Sequence, residues 1–439
     1  MEDKWRDNIG AILARASSGA LIVMVAGAGL AFLSQVLFAR ILGAAEYGIY
    51  IYVLTWINLL SIAVTLGLNT SLLRFVPAYI AQLEWGLLRG LLRRATWIVL
   101  AASLLVSVVA SCAVWVFSDR IDKSHINVFF IALLLLPLIG LTQLRSATMR
   151  GLKLIAKALA PENLVRPVLL MLLAGSAYWL MENDLTALDL MVLNVVGAML
   201  AFALGTYWLY GALPLQIKSA QEIYANGDWI KVSLPMFVMS AMTYVLNHAD
   251  IIMLGAMIDA EQAGIYAVAS RIAALVTFGL MAANMIVAPM ISQYYSVGNY
   301  ASLQRMITLS ARGVFVFSLT VSIVLWLSGP VLLELFGSEF SVGYDVVTIL
   351  LSGQIVNSLA GSVGFIMLMT KHQKEAAWIV SISAIMNITL NYLLIPQFGL
   401  EGAAIATALT MIVRNVFMAV YVLKILKINQ TIFTRMASK

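Results

Sequence analysis

Asp250 and Arg271 are the residues of this chain whose types and positions most invite chemistry. Both fall inside long apolar runs, where an ionisable side chain is costly to keep and marks a substrate path, a proton relay or a structural ion pair. Counted from the outer ends of their runs, both lie roughly 10–12 Å deep at about 1.5 Å per residue. Consecutive runs joined by a short loop are usually neighbours, so an ion pair between the two is expected. Such a pair either locks two helices together or has a function. In the second case Arg271 faces a central cavity and attracts an anion, while Asp250 balances it or carries a proton or sodium ion. Arg414 lies near mid-depth of the last apolar run with no acidic residue at the same depth in the run before it. It is expected to face water or another helix group rather than lipid.

Other residues carry weaker signals. Arg74 closes the second run in the stretch Arg74-Phe75-Val76-Pro77, where a long cation can reach the interface. Arg40 closes the first run on the outside, so either anion recognition or a pair with Glu46 holds it there. Asn387 and Asn391 are four apart and share one helical face, and Gln354 and Asn357 are three apart. Hydrogen bonds between helices are the ordinary reason for such residues in a membrane, and substrate contact is the alternative.

These positions gain meaning from the elements that hold them. The chain has 439 residues, 62% of them hydrophobic and 11% charged, against roughly 25% charged in soluble domains. Apolar stretches of about 20 residues recur throughout, each long enough to span a hydrocarbon core. The alternation of a transmembrane barrel, in runs of about 10 residues, does not occur. The fold class is an all-α polytopic membrane protein with about twelve transmembrane helices. Their approximate limits are 18–39, 47–70, 95–117, 126–146, 163–181, 187–210, 233–256, 263–288, 312–333, 343–369, 376–396 and 401–424. Placed inside at the N-terminus, 22 of the 27 Lys and Arg residues fall in inside segments. Three, Arg40, Arg120 and Lys123, fall outside, and Arg271 and Arg414 lie within spans. That split puts both termini in the cytoplasm, and it accounts for the net charge of +6 without nucleic acid.

The polar interval Gly211 to Lys231 divides the spans six and six. The expected domains are a six-helix lobe over 1–210, a cytoplasmic linker over 211–232 and a second six-helix lobe over 233–439. Leu42-Gly43, Glu46 and Gly48-Ile49-Tyr50 are echoed by Leu254-Gly255, Glu261 and Gly264-Ile265-Tyr266 at the start of the corresponding helix of the second half, which points to duplication. No Gly precedes a Lys, so the P-loop lysine motif is missing. With three His and one Cys, Cys112, there is no HExxH pattern and no cysteine pair for metal. No cluster of acids and bases offers general acid–base chemistry, so transport is expected rather than catalysis, with no cofactor. The basic stretches 89–94 and 145–166 suit anionic membrane lipids, or a docking surface for an anionic lipid-linked substrate.

The run FARILGAAEYGIY from Phe38 to Tyr50 resembles the opening signature of the Wzx-type flippases of polysaccharide and O-antigen (lipopolysaccharide) biosynthesis. GLNTSLLRFVPAY from Gly67, SLPMFV from Ser233, ADIIMLG from Ala249, AGIYAVASRI from Ala263 and NYLLIPQFGLEGAAIAT from Asn391 are similar to later motifs of that family, in its order. The family lies within the MATE-like MOP superfamily, beside the MATE exporters and the lipid II flippase. The resemblance implies two six-helix bundles around a central cavity, working by alternating access in the inner (cytoplasmic) membrane. It implies as substrate an undecaprenyl-pyrophosphate-linked oligosaccharide moved from the cytoplasmic to the outer leaflet, with a polymerase and glycosyltransferases as pathway partners. A cationic cavity for pyrophosphate would be supplied by Arg271 and Arg414, with Arg74 at its mouth. Proton or sodium coupling is open under this reading. The alternatives are a MATE-like cation-coupled exporter of small molecules and a non-transporting scaffold of a polysaccharide synthesis complex.

Overall fold

A computed structural model describes residues 2–428 except 121 and 183; side chains of 1–18, 20, 21, 120, 218, 285, 286 and 289 are outside the description. The tail charges Arg435 and Lys439 lie outside the described residues. The chain is all-helical, with no strand among the described residues. Its helices are α1 Glu2–Thr65, α2 Leu68–Ala81, α3 Trp85–Val116, α4 Lys123–Leu133, α5 Leu135–Gly151, α6 Ile155–Ala160, α7 Arg166–Leu180 and α8 Ala187–Ala212. They continue as α9 Leu215–Ser219, α10 Asn226–Met257, α11 Ala260–Ala274, α12 Thr277–Ser296, α13 Tyr300–Glu334, α14 Tyr344–Ala360, α15 Val363–Met369 and α16 Gln373–Tyr421. A π-helical turn, Pro161–Val165, joins α6 to α7.

Among the described residues, nine helical stretches are long and apolar enough to cross a membrane, and α11 with the first part of α12, bent by 50°, makes a tenth. Two of the nine, Ile22–Thr65 and Gln373–Leu426, are 44 and 54 residues long. At about 1.5 Å per residue they run to roughly two and nearly three times a hydrocarbon core of about 30 Å. Both are bent at a glycine with positive φ, Gly43 (φ 73°) and Gly399 (φ 56°), a conformation that costs a glycine little and other residues much. The anticipated separations between the first two and the last two spans fall at these kinks. Other anticipated spans are themselves broken. Residues 47–70 end as one helix at Thr65 and resume as α2, residues 126–146 are interrupted at Leu134, and residues 343–369 are interrupted at Gly361–Ser362.

The chain divides into two compact units, Met1–Ala241 and Met242–Lys439, and the boundary falls within α10. In the first unit α5 is the central helix, packed on α1, α2, α3 and α8. Leu72, Leu91, Leu135, Leu136, Met149 and Leu190 are fully buried there. Leu104, Leu105, Trp115, Trp179 and Leu180 are exposed on its outer helices, an apolar coat that suits lipid and would be a liability in water. In the second unit α14 takes the central place, against α11, α13 and α16. Tyr266, Phe336, Phe340 and Val347 are fully buried in that unit.

Residues 213–225, which lead into α10, lie along the start of α3. The Ile223 N–H donates to Gly86 O at 3.1 Å, and Arg89 Nη1 donates to Ala220 O at 2.9 Å. Glu222 accepts from Arg93 and from the Tyr224 hydroxyl, and both hydrogen bonds hold its carboxyl below the usual carboxylate range. The part of the segment after α9 comes this near because Gly86 and Gly90 have no side chains. A Cβ on Gly90 would stand 2.0 Å from Ile223 O.

Candidate functional site in two buried polar networks

The second unit carries a chain of buried polar groups between α10 and α16. Asp250 is 4% exposed. Its carboxylate accepts from the Thr407 hydroxyl at 3.2 Å and from the Ile251 N–H at 3.2 Å. Thr407 in turn accepts from Asn387 Nδ2 at 3.3 Å. Asn391 Nδ2 donates to Asn387 O at 3.0 Å and to Asn387 Oδ1 at 3.1 Å. The i, i+4 spacing of the asparagines puts both on the inner face of α16 before its kink, and Thr407 follows after it. Asn391 is fully buried and its Oδ1 has no hydrogen-bond partner. The fully buried Tyr266 hydroxyl lies beside Asp250 but outside hydrogen-bond geometry. A carboxylate ringed by hydroxyls and amides, with two unsatisfied oxygens, has the donor set of a proton or hard-cation site. Among the described residues, no three or more His, Cys, Asp or Glu are grouped so as to hold a metal ion.

Asp250 therefore turns to α16, whereas Arg271 was expected to be its partner. Arg271 is exposed and close enough to His248 for their charges to interact. His248 and Asp250 are two residues apart on one helix, about 200° around its axis, so they serve nearly opposite faces. The Tyr244 ring lies tilted against His248 with ring centroids 4.3 Å apart. Arg414 is half-buried and makes no hydrogen bond or ion pair among the described residues. The next residue, Asn415, donates to Asn357 Oδ1 at 2.9 Å, and Asn357 donates to Gln354 Oε1 at 3.2 Å. Gln354 and Asn357 thus tie α14 to α16. The structure links Asp250 with Asn387 and Asn391, and Gln354 with Asn357, but reveals no direct bond between Arg271 and Arg414.

In the first unit, Arg40 and Arg74 are both exposed. Glu46 does not hold Arg40: its Oε2 accepts from the Ala187 N–H at 2.7 Å, capping the start of α8. Arg74 lies over the Phe75 ring, 5.7 Å from its centroid, on α2 rather than at the end of a continuous second span.

The first unit also holds a network that the charge pattern hid. Arg145, counted above among inside loop charges, is 4% exposed within α5. Its Nη1 donates to Ala201 O at 3.1 Å and to Phe202 O at 3.3 Å. Its Nη2 is 3.6 Å from Glu162 Oε1. Glu162 Oε2 accepts from Arg166 Nη1 at 3.1 Å, Arg166 Nη2 donates to Asn194 Oδ1 at 2.9 Å, and Asn194 Nδ2 donates to the Tyr50 hydroxyl at 3.0 Å. Gly205 makes room for the guanidinium: a Cβ there would stand 1.6 Å from Arg145 Nη1. The only early hint was the i, i+4 pair Glu162 and Arg166, lost among the neighbouring basic residues.

A family model described as polysaccharide biosynthesis protein matches residues 14–295, and the MatE model matches residues 235–393. The probable low-salt glycan biosynthesis flippase Agl15 of Haloferax volcanii is 26% identical over 412 residues, covering 93% of this chain and 83% of that protein. The fold is shared with an inward-facing multidrug resistance MATE family transporter of the MOP superfamily. That match has a TM-score of 0.72 and 14% identity, covering 92% of this chain and 97% of the other. The lipid II flippase MurJ in an inward closed conformation matches with a TM-score of 0.72 and 16% identity, covering 92% and 87%.

Proposed function

Because the chain belongs to the polysaccharide biosynthesis protein family, we propose that it is a flippase for a lipid-linked oligosaccharide. The substrate we assign is undecaprenyl-pyrophosphate-linked glycan, moved by alternating access from the cytoplasmic to the outer leaflet of the cytoplasmic membrane. The observation that carries this reading is the similarity, over 93% of the chain, to a protein named as a glycan biosynthesis flippase. Counting the kinked stretches Ile22–Thr65 and Gln373–Leu426 as two spans each, and the bent pair as one, supports twelve spans. With the buried Arg145 set aside, the basic residues still gather on one side of that arrangement, which supports cytoplasmic termini.

Arg271 and Arg414, both in the second unit, are the residues we assign to the pyrophosphate; Arg40 and Arg74 are exposed cations of the first unit, assigned to anionic groups of the lipid-linked substrate. The half-buried Arg414 guanidinium supports this role most, since its donors are uncommitted and suited to a bidentate phosphate grip. Asp250, with Thr407, Asn387 and Asn391, is the assigned coupling site for a proton or sodium ion. Gln354 and Asn357 act as a helix tie. The chain is read as a transporter and not an enzyme.

The MatE match favours a second reading, export of small cations. Against it, Glu162, the acidic residue in the first unit's polar network, is already shared between Arg145 and Arg166. Deleting the gene tests the proposal. Lipid-linked oligosaccharide should accumulate in the inner leaflet while surface glycan disappears, and the wild-type chain should restore both. Unchanged surface glycan with unaltered lipid-linked pools would exclude it.

A further inference from the structure

A cleft of about 260 Å³ lies within the first unit, among the second half of α1, α5, α7 and α8 and the π-helical turn. Its polar wall is Asn58, Thr142, Gln143, Glu162 and Arg166, with Ala198 on the α8 side. We infer that this cleft receives one sugar ring of the glycan, an assignment that rests on the flippase function proposed above and adds a recognition site to it.

Size comes first. Pockets for drug-sized ligands run to roughly 300–1,000 Å³, so this cleft suits a single ring and not a longer glycan. Charge decides the class of ligand. The lone carboxylate, Glu162, lies 3.6 Å from Arg145 and 3.1 Å from Arg166. A small cation would meet two guanidiniums against one carboxylate. A small anion would have to displace a carboxylate that both guanidiniums already hold. A neutral ligand rich in hydroxyls avoids both penalties, because each hydroxyl donates one hydrogen bond and accepts others.

The uncommitted groups fit that ligand. The Asn58 side chain is exposed and makes no hydrogen bond among the described residues. Gln143 Oε1 accepts from Asn69 Nδ2 at 2.8 Å, which fixes the amide and leaves its NH2 for a ligand. Arg166 is held by Asn194 as well as Glu162, so the wall is set before any ligand arrives. Pre-setting of this kind lowers the ordering cost of binding. The π-helical turn that carries Glu162 is a rare element found frequently at functional sites.

The test uses the full chain in proteoliposomes with fluorescent polyprenyl pyrophosphate probes. One probe is bare; the others carry glucose, galactose, mannose, N-acetylglucosamine or rhamnose. The wild type should move at least one sugar-bearing probe tenfold or more faster than the bare one. Asn58→Phe, which fills the cleft from an exposed position, should move all probes at the bare-probe rate. Equal rates in the wild type, or a sugar preference kept in Asn58→Phe, would overturn the cleft assignment while leaving flipping intact. A wild type that moves no probe would instead remove the flippase reading. If Asn58→Phe moves nothing, Gln143→Leu decides, since it removes a donor without filling the space. Lost sugar preference with the bare-probe rate kept supports the inference, and any other result overturns it.

Discussion

The Thr407 hydroxyl donates to the Asp250 carboxylate across 3.2 Å and so joins α10 to the kinked helix α16. This bond has a counterpart in the first unit, where Asn194 of α8 donates to Tyr50. Tyr50 and Tyr266 end the two Gly-Ile-Tyr repeats, and both are buried next to a polar network of their own unit. Each network also draws an i, i+4 pair from one helical stretch: Glu162 and Arg166 in the first unit, Asn387 and Asn391 in the second. The likeness of the two repeats thus extends from the motif to the buried networks beside it. Their charges have diverged, with two arginines about one glutamate in the first unit and one carboxylate among neutral groups in the second.

Asp250→Asn keeps the shape of the side chain and removes its charge. Transport by this variant should no longer respond to an imposed proton or sodium gradient, while the folded protein remains at normal levels. Thr407→Val should weaken the same response and lower stability by about 0.5–2 kcal/mol, the range for a hydrogen bond between membrane helices. Gradient-dependent flux in proteoliposomes checks the first, and thermal unfolding in detergent the second.

Gly205→Ala places a methyl group where the Arg145 guanidinium lies. The guanidinium must move, and its carbonyl partners and Glu162 lose a buried donor. Breaking a buried pair in this way costs about 3–5 kcal/mol. The midpoint of thermal unfolding should fall by several degrees, and Ala201→Gly, which keeps the carbonyl that accepts from Arg145, should not reproduce a loss of that size.

Gly90→Leu should detach residues 213–225 from α3, because its side chain would overlap Ile223 O. Limited proteolysis would then cut this segment faster than in the wild type. The ion pairs of Glu222 add a pH dependence. Its carboxyl is held down by Tyr224 and Arg93, so the contribution is complete above the ordinary value of 4.5 and is lost as pH falls through the lowered pKa. Protease resistance of the segment should be flat from neutral pH to about pH 5 and decline only under stronger acid.

Much of the helical layout was legible in the sequence because hydropathy reports length, and the bends at Gly43 and Gly399 fall in the gaps it leaves between apolar runs. The breaks at Leu66–Gly67 and Leu134 were not: Leu134 lies in an unbroken apolar run, and Asn69 to Ser71 beside Gly67 make too short a polar patch to divide one. Asn387 and Asn391 could be placed together from spacing alone, but their partner Thr407 lies beyond a kink whose angle no periodicity reveals. Asp250 and Arg271 were judged by depth, whereas the face of α10 decided their neighbours. Arg145 was hidden for a different reason: a rule that counts basic residues assigns them to loops, and a buried arginine satisfied by carbonyls breaks that rule unseen.

The most direct test is the movement of a pyrophosphate-linked oligosaccharide across proteoliposomes by the wild type and by Arg271→Gln and Arg414→Gln. The wild type should move the lipid, and each variant should be at least about tenfold slower, equivalent to about 1.4 kcal/mol, with protein amount and unfolding temperature unchanged. A wild type that leaves the lipid in place, or variants that match it, would contradict the account.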